Sequence, residues 1–249
     1  MNKKAFTLAE ILIALTIIGI ISTLLLKNLV NKIYDRVQIT AVKKTWAMLD
    51  NALQEMYIIE GIPSTWNWTP YKTKGDQANF FAQRFINYVN VEKYCGSNAG
   101  CFPSKNDSKC SAAGYGIYCN LHNRSKSSYI DNTHHGKFKL KNGMSISTAI
   151  TPWLFSTDVV TDNTNKFRVD INGNKGPNRL GYDVFFFEFN DKGLLLANAD
   201  YWSYKYCNNA TNLKTESSVY PHIDGVTCST WIIKHNNMDY KYRNIKSEW

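Results

Sequence analysis

Three patterns of apolar and polar positions follow one another along the chain. Residues 6–26, FTLAEILIALTIIGIISTLLL, are almost unbroken apolar sequence, with Glu10 as the one charge. At about 1.5 Å per residue, a helix of that length crosses a bilayer core of roughly 30 Å. A lone carboxylate inside such a stretch marks a functional position, because it needs a partner. Beyond it, Val30, Ile33, Val37, Val42, Trp46, Leu49, Leu53 and Met56 recur at mostly three- and four-residue steps, with Lys32, Arg36, Lys43, Lys44 and Asp50 between them. That spacing predicts an amphipathic continuation of the helix with one buried face. Gly61 and Pro63 predict its stop, so residues 6–60 would form one helix about 80 Å long.

The third pattern is mixed. Residues 63–75 read as a loop in which Trp66 and Trp68 are packing residues, with a binding cage as the alternative, and residues 77–89 carry Phe81, Phe85, Tyr88 and Val89 at helical spacing. Residues 95–119 hold four cysteines among Gly, Ser, Asn and Lys and read as a stapled loop; residues 122–136 are polar and expected at the surface. Strand signals begin at residue 137. Residues 137–140 and 144–149 flank Lys141-Asn142-Gly143, and Asn-Gly is a strong hairpin signal. Residues 167–171 alternate, and residues 184–189 (VFFFEF) are apolar on both faces, so that strand needs cover on both sides. The helix can supply one cover. A turn at Asn190-Asp191-Lys192-Gly193 leads into a last strand over 194–197, and the remainder reads as loop. The expected fold is α+β: a long N-terminal helix, its first half membrane-spanning, packed on an antiparallel β-sheet head with disulfide-stapled loops. The divisions are a leader at 1–5, the apolar helix at 6–26, its amphipathic continuation at 27–60 and a globular head at 61–249.

The six cysteines, Cys95, Cys101, Cys110, Cys119, Cys207 and Cys228, all follow the apolar stretch. An even number in an exported, loop-rich segment reads as disulfides. Zinc sites need closer spacings than the C-x₅-C found here. Fifteen pairings are possible. The sequential set is expected, Cys95 with Cys101, Cys110 with Cys119 and Cys207 with Cys228, because short loops close most easily; the first two pairs can exchange partners. The formal net charge is +9, and loss of Lys3 and Lys4 with the leader leaves +7. A basic balance favours acidic partners such as DNA or anionic surfaces, although no basic run exceeds two residues. Lys27, Lys32 and Arg36 outnumber Lys3 and Lys4, which by the positive-inside rule would put the head in the cytoplasm. The cysteines need an oxidising compartment and argue for the opposite side.

No catalytic constellation is legible: the chain has no G-x-S-x-G, no H-E-x-x-H and no phosphate-binding glycine loop. His134 and His135 are adjacent and would point to opposite faces of a strand; His122, His222 and His235 are isolated and expected at the surface. One loop carries possible metal chemistry. Asp170, Asn172, Asn174, Asn178 and Asp183 place oxygen donors at mostly alternating positions, as calcium loops do. It is not an EF-hand, because Lys175 and Gly181 stand where that loop needs its glycine and its glutamate. The competing reading is a hairpin loop whose Asn and Asp side chains cap their own turns.

The leader Met1-Asn2-Lys3-Lys4-Ala5 with Phe6-Thr7-Leu8-Ala9-Glu10 resembles the class III signal of type IV prepilins and type II secretion pseudopilins. The resemblance covers about 25 residues. It implies a cut by prepilin peptidase between Ala5 and Phe6, methylation of the new Phe6 amine, and an assembly role for Glu10. Gly19 matches the family's glycine inside the helix. The family usually has Gly before the cut, where this chain has Ala5, and often Pro after the apolar stretch, where this chain has Lys27. The resemblance further implies the helix-on-sheet fold, a C-terminal disulfide loop that Cys207 and Cys228 would suit, and a loop near Asp170 that in some relatives holds calcium. It implies a bacterial inner-membrane protein, single-pass with a periplasmic head, that moves into a pseudopilus or surface filament. Its partners would be related pilin-like subunits, the peptidase and an inner-membrane assembly platform, in a structural and non-enzymatic role. The alternative is a minor pilin whose basic, aromatic head binds DNA or adheres to a surface.

Overall fold

The computed structural model describes residues 7–103, 118–121, 134–156, 165–173, 175–196, 207, 225–243, 245 and 248. Helix α1 (Leu8–Glu60) is continuous, and the chain divides into two compact units, Met1–Gln38 and Ile39–Trp249.

In the first unit the apolar side chains are bare. Leu8, Ile11, Leu12, Ile13, Leu15, Ile17, Ile18, Ile20 and Ile21 are all exposed, and so are Val30, Ile33 and Val37. The last three were expected on the buried face. Burial on α1 instead begins at Gln38 and runs through Val42, Thr45, Leu49, Ala52, Leu53, Met56 and Tyr57. The same three-and-four spacing thus goes with burial after residue 38 and exposure before it. Among the described residues no helix is long and apolar enough to cross a membrane. The expected crossing opens at Phe6, outside the described residues.

The second unit is built on an antiparallel meander of six strands in sequence order. They are β1 (Val91–Gly96), β2 (Gly136–Leu140), β3 (Ser145–Ala149), β4 (Lys166–Asp170), β5 (Val184–Asn190) and β6 (Gly193–Leu195). The Asn142-Gly143 hairpin forms as expected, with Leu140 N–H donating to Met144 O at 2.9 Å. Register puts Phe138, Ile146, Val169 and Phe185 in one row across four strands, and Thr148, Phe167 and Phe187 in the next. All of these but Thr148 are apolar and share a core with the buried face of α1 and with Ala78, Phe81, Ala82 and Phe85 of α2 (Lys74–Phe85). Helix α2 starts on a capping box in which Thr73 and Asp76 bond reciprocally. It lies so close on the sheet that a side-chain carbon on Gly136 would fall 2.5 Å from Ala78 O.

Both faces of β5 are covered. Phe185, Phe187 and Phe189 belong to the core shared with α1 and α2. Val184 and Phe186 belong to a second cluster with Cys95, Cys101, Phe102, Tyr118, Leu180 and Val226. The C-terminal part of α1 is stitched to the β5–β6 edge. Tyr57 Oη donates to Asn190 O at 2.7 Å, Gln54 Nε2 to Lys192 O at 3.0 Å, and Leu194 N–H to Asp50 Oδ1 at 3.1 Å. Helix α1 ends at Gly61, whose φ of 78° is the left-handed turn that favours glycine there.

Three expectations are corrected. Cys95 and Gly96 were read as the start of the stapled loop and instead close strand β1, which is paired with β2. Cys228–His235 was read as loop and is helix α3, which packs on β5 and buries Trp231 and Ile232. His135 was placed in an exposed polar segment and is 4% exposed, its ring against Arg168 Nη1. His134 and His235 are exposed. His122 and His222 lie outside the described residues.

Candidate functional site

Glu10 stands in the first turn of α1. Its Oε2 accepts the Thr7 amide at 2.8 Å and the Thr7 hydroxyl at 2.9 Å, while Thr7 Oγ1 accepts the Glu10 amide at 3.3 Å. This is a capping box: it satisfies two of the amides that a helix start leaves without partners and sets a carboxylate at the positive end of the helix dipole. Thr-x-x-Glu was legible in the sequence but went unread there. Ala5 and Phe6, the expected processing residues, lie outside the described residues.

The β4–β5 connection is the other candidate. Asp170 closes β4, facing away from the α1 core, in a cross-strand row with Ser145 and Val184. Both Asp170 and Asp183 are completely buried. Tyr118 Oη donates to Asp170 Oδ2 at 2.8 Å and Asn172 N–H to Asp170 Oδ1 at 3.2 Å. Asp183 accepts Asn178 N–H at 2.9 Å, Arg179 N–H at 2.7 Å and Asn172 Nδ2 at 3.2 Å. The loop is pinned from outside by Cys119, which pairs with residues 178 and 180 through backbone bonds of 3.0 and 2.8 Å, and by Tyr240 Oη on Gly181 O at 2.7 Å. Tyr118 and Tyr240 had no sequence signal, because the fold brings them to the loop from 52 and 59 residues away.

Burial, then the charge of Asp183, pushes the Asp170 carboxyl up to about 8. Burial pushes Asp183 up to about 6, against the pull of its amide donors. Burial and the neighbouring Asp170 charge in turn raise the Tyr118 hydroxyl well above its ordinary value. Two buried carboxylates that repel one another call for a proton or a cation. The side-chain oxygens of Asn172 and Asn178 are buried and accept no hydrogen bond, so two further hard donors have no other partner. Among the described residues no group of three or more His, Cys, Asp or Glu could hold a metal ion. A set of two carboxylates and two amide oxygens fits a hard cation that takes oxygen ligands, which is calcium chemistry. Of the expected ligands, Asp170, Asn172, Asn178 and Asp183 share this loop; Asn174 lies outside the described residues.

The cysteine pairing holds where it is described: Cys95 is bonded to Cys101 and Cys207 to Cys228. Cys119 is disulfide-bonded as well, and Cys110, the partner expected for it, lies outside the described residues. Trp66 and Trp68 stack on one another with ring centres 5.8 Å apart.

Residues 1–26 match the family model described as the prokaryotic N-terminal methylation motif. The match supports a type IV pilin-like or pseudopilin family and indicates a pilin-type protein processed by prepilin peptidase. No curated protein and no solved structure matches the chain.

Proposed function

We propose that this chain is a structural subunit of a type II secretion pseudopilus or a type IV pilus-like filament. The observation that carries the reading is the bare apolar surface of α1, which begins at Leu8 inside the matched methylation motif and runs on past its end. Among the described side chains, fifteen large apolar ones stand exposed between Leu8 and Val37. Lipid before assembly and the helices of neighbouring subunits afterwards would cover them. Prepilin peptidase frees the Phe6 amine, the head stays in the periplasm, and an inner-membrane platform moves the subunit into the filament. Calcium would be held by Asp170, Asn172, Asn178 and Asp183, where it neutralises the two buried carboxylates and fixes the β4–β5 loop. The test is to shear filaments from cells and sequence the chain within them. Incorporation beginning at Phe6 supports the reading; a chain that stays unprocessed in the inner membrane overturns it. Loss of secretion on gene deletion assigns the pseudopilus, and loss of pili the pilus.

A second reading, DNA or surface binding by the head, is favoured by a basic, aromatic corner. Lys241 Nζ lies 3.7 Å from the Tyr182 ring centre and 5.4 Å from that of Tyr242, which is 62% exposed. Affinity for DNA that falls steeply with salt would support it; no binding at low salt would remove it.

A further inference from the structure

The loop after α1 folds back on the helix end. Trp66 Nε1 donates to the carbonyls of Glu60 and Gly61, both at 3.1 Å, and Trp68 Nε1 to Pro63 O at 2.8 Å. This leaves a cleft of about 370 Å³ between the loop and α2, within the roughly 300–1,000 Å³ common for small-molecule sites. Its walls are Trp66, Tyr71 and Phe80, and its polar groups are Glu60, Asn67 and Arg84. Tyr71 stacks on Phe80 with ring centres 3.9 Å apart, and the Arg84 guanidinium lies 3.8 Å from the centre of the Phe80 ring. Trp66 is backed by Trp68, which stacks in turn on Phe155 at 5.7 Å. Phe80 is thus sandwiched between Tyr71 and Arg84, and Arg84 also lies 5.1 Å from the Trp66 ring centre, so Tyr71 is the aromatic wall on which a ring can lie.

We propose that this cleft binds a neutral sugar. The charges in it cancel, since Arg84 Nε is 3.0 Å from Glu60 Oε2, so neither an anion nor a cation gains from the site as a whole. The pair is held from behind by Tyr88 Oη, which donates to Glu60 Oε1 at 2.9 Å. Arg84 keeps its terminal nitrogens as donors, and Asn67, whose Oδ1 takes the Thr69 amide at 3.1 Å, keeps its two amide protons. A sugar ring has a C–H face that lies on aromatic rings and a rim of hydroxyls that both donate and accept. An aromatic peptide side chain would fill the walls and leave the rim unused; a nucleotide would bring a phosphate that Glu60 opposes.

The experiment is isothermal titration of the full chain, in a detergent without a sugar headgroup, with cellotriose, maltotriose and di-N-acetylchitobiose. Expected is saturable binding of at least one of them at about millimolar strength. Tyr71→Ala and Asn67→Ala should each weaken it about tenfold. Trp153→Ala, a change at a 70% exposed aromatic outside the cleft, should retain it. Melting curves of each variant separate loss of binding from loss of fold. Absence of binding by all three sugars overturns the proposal, as does equal binding by the well-folded Tyr71→Ala chain, or preference for a sulfated oligosaccharide or an aromatic peptide. None of these outcomes bears on filament assembly, which rests on the N-terminal segment.

Discussion

Glu10 and Thr7 hold each other at the start of α1: one carboxylate oxygen takes both the amide and the hydroxyl of Thr7, at 2.8 and 2.9 Å. In a single copy of the chain the acid is therefore already occupied as a helix cap. In a filament it would also face the Phe6 amine of a neighbour. The two roles separate by substitution. Glu10→Gln keeps an acceptor for Thr7 and loses the charge, while Glu10→Ala loses both. Both variants should enter the membrane and both should assemble poorly. Normal assembly of Glu10→Gln beside failure of Glu10→Ala would show that the cap, not the charge, is what assembly needs.

Processing gives a second test. Intact mass of the membrane-extracted protein should begin at Phe6, with one added methyl. Ala5 is small enough for the peptidase, so cleavage should go to completion. A mature chain that begins at Met1 would remove the filament reading.

Where one local rule dominates, the sequence was readable. The Gly61-x-Pro63 stop, the Asn142-Gly143 turn and the doubly apolar run of β5 each follow from residues next to one another, and each appears where expected. Elements decided by distant partners were not. Strand β1 alternates poorly and is strand because β2 offers it an edge. Helix α3 is rich in Ser, Thr and Ile, weak helix formers, and is set by Cys228 at its start and by burial of Trp231 and Ile232. The periodicity of α1 gave its helicity but not where its burial begins, because spacing does not say how far the head reaches. At the candidate calcium loop the acids and amides were legible, whereas the tyrosine that bonds Asp170 was not.

The two described disulfides should differ in worth. The Cys207–Cys228 bridge closes a separation of 21 residues and Cys95–Cys101 one of 6. Chain entropy alone makes the first worth about 3 kcal/mol and the second about 2. The Cys207→Ser/Cys228→Ser chain should melt well below the Cys95→Ser/Cys101→Ser chain, since α3 and its buried Trp231 depend on the first bridge. The reverse order would show that the loop region next to β1 matters more than the C-terminal helix. Peptide mapping without reduction should recover both bridges.

The calcium proposal has a pH signature. In chelator, Asp170 holds a proton up to about 8 and Asp183 up to about 6, while the same groups titrate near 3.8 when unfolded. The folded chain thus binds more protons than the unfolded chain across this window. The protonated carboxyls contribute their full stability below about pH 4 and lose it as pH rises through 6 and 8. Calcium replaces those protons, so its benefit should grow as they leave. The full chain should melt at nearly the same temperature with millimolar calcium and with chelator at pH 5, and distinctly higher with calcium at pH 8, since a ligand bound only by the folded state stabilises it by mass action. Asp170→Asn removes one charge, keeps an acceptor for the Tyr118 hydroxyl and should abolish both the calcium effect and most of the pH dependence. If calcium and chelator give equal melting temperatures at pH 8, the loop is held by its own bonds, with Asp183 capping the Asn178 and Arg179 amides and protons alone settling the two carboxyls.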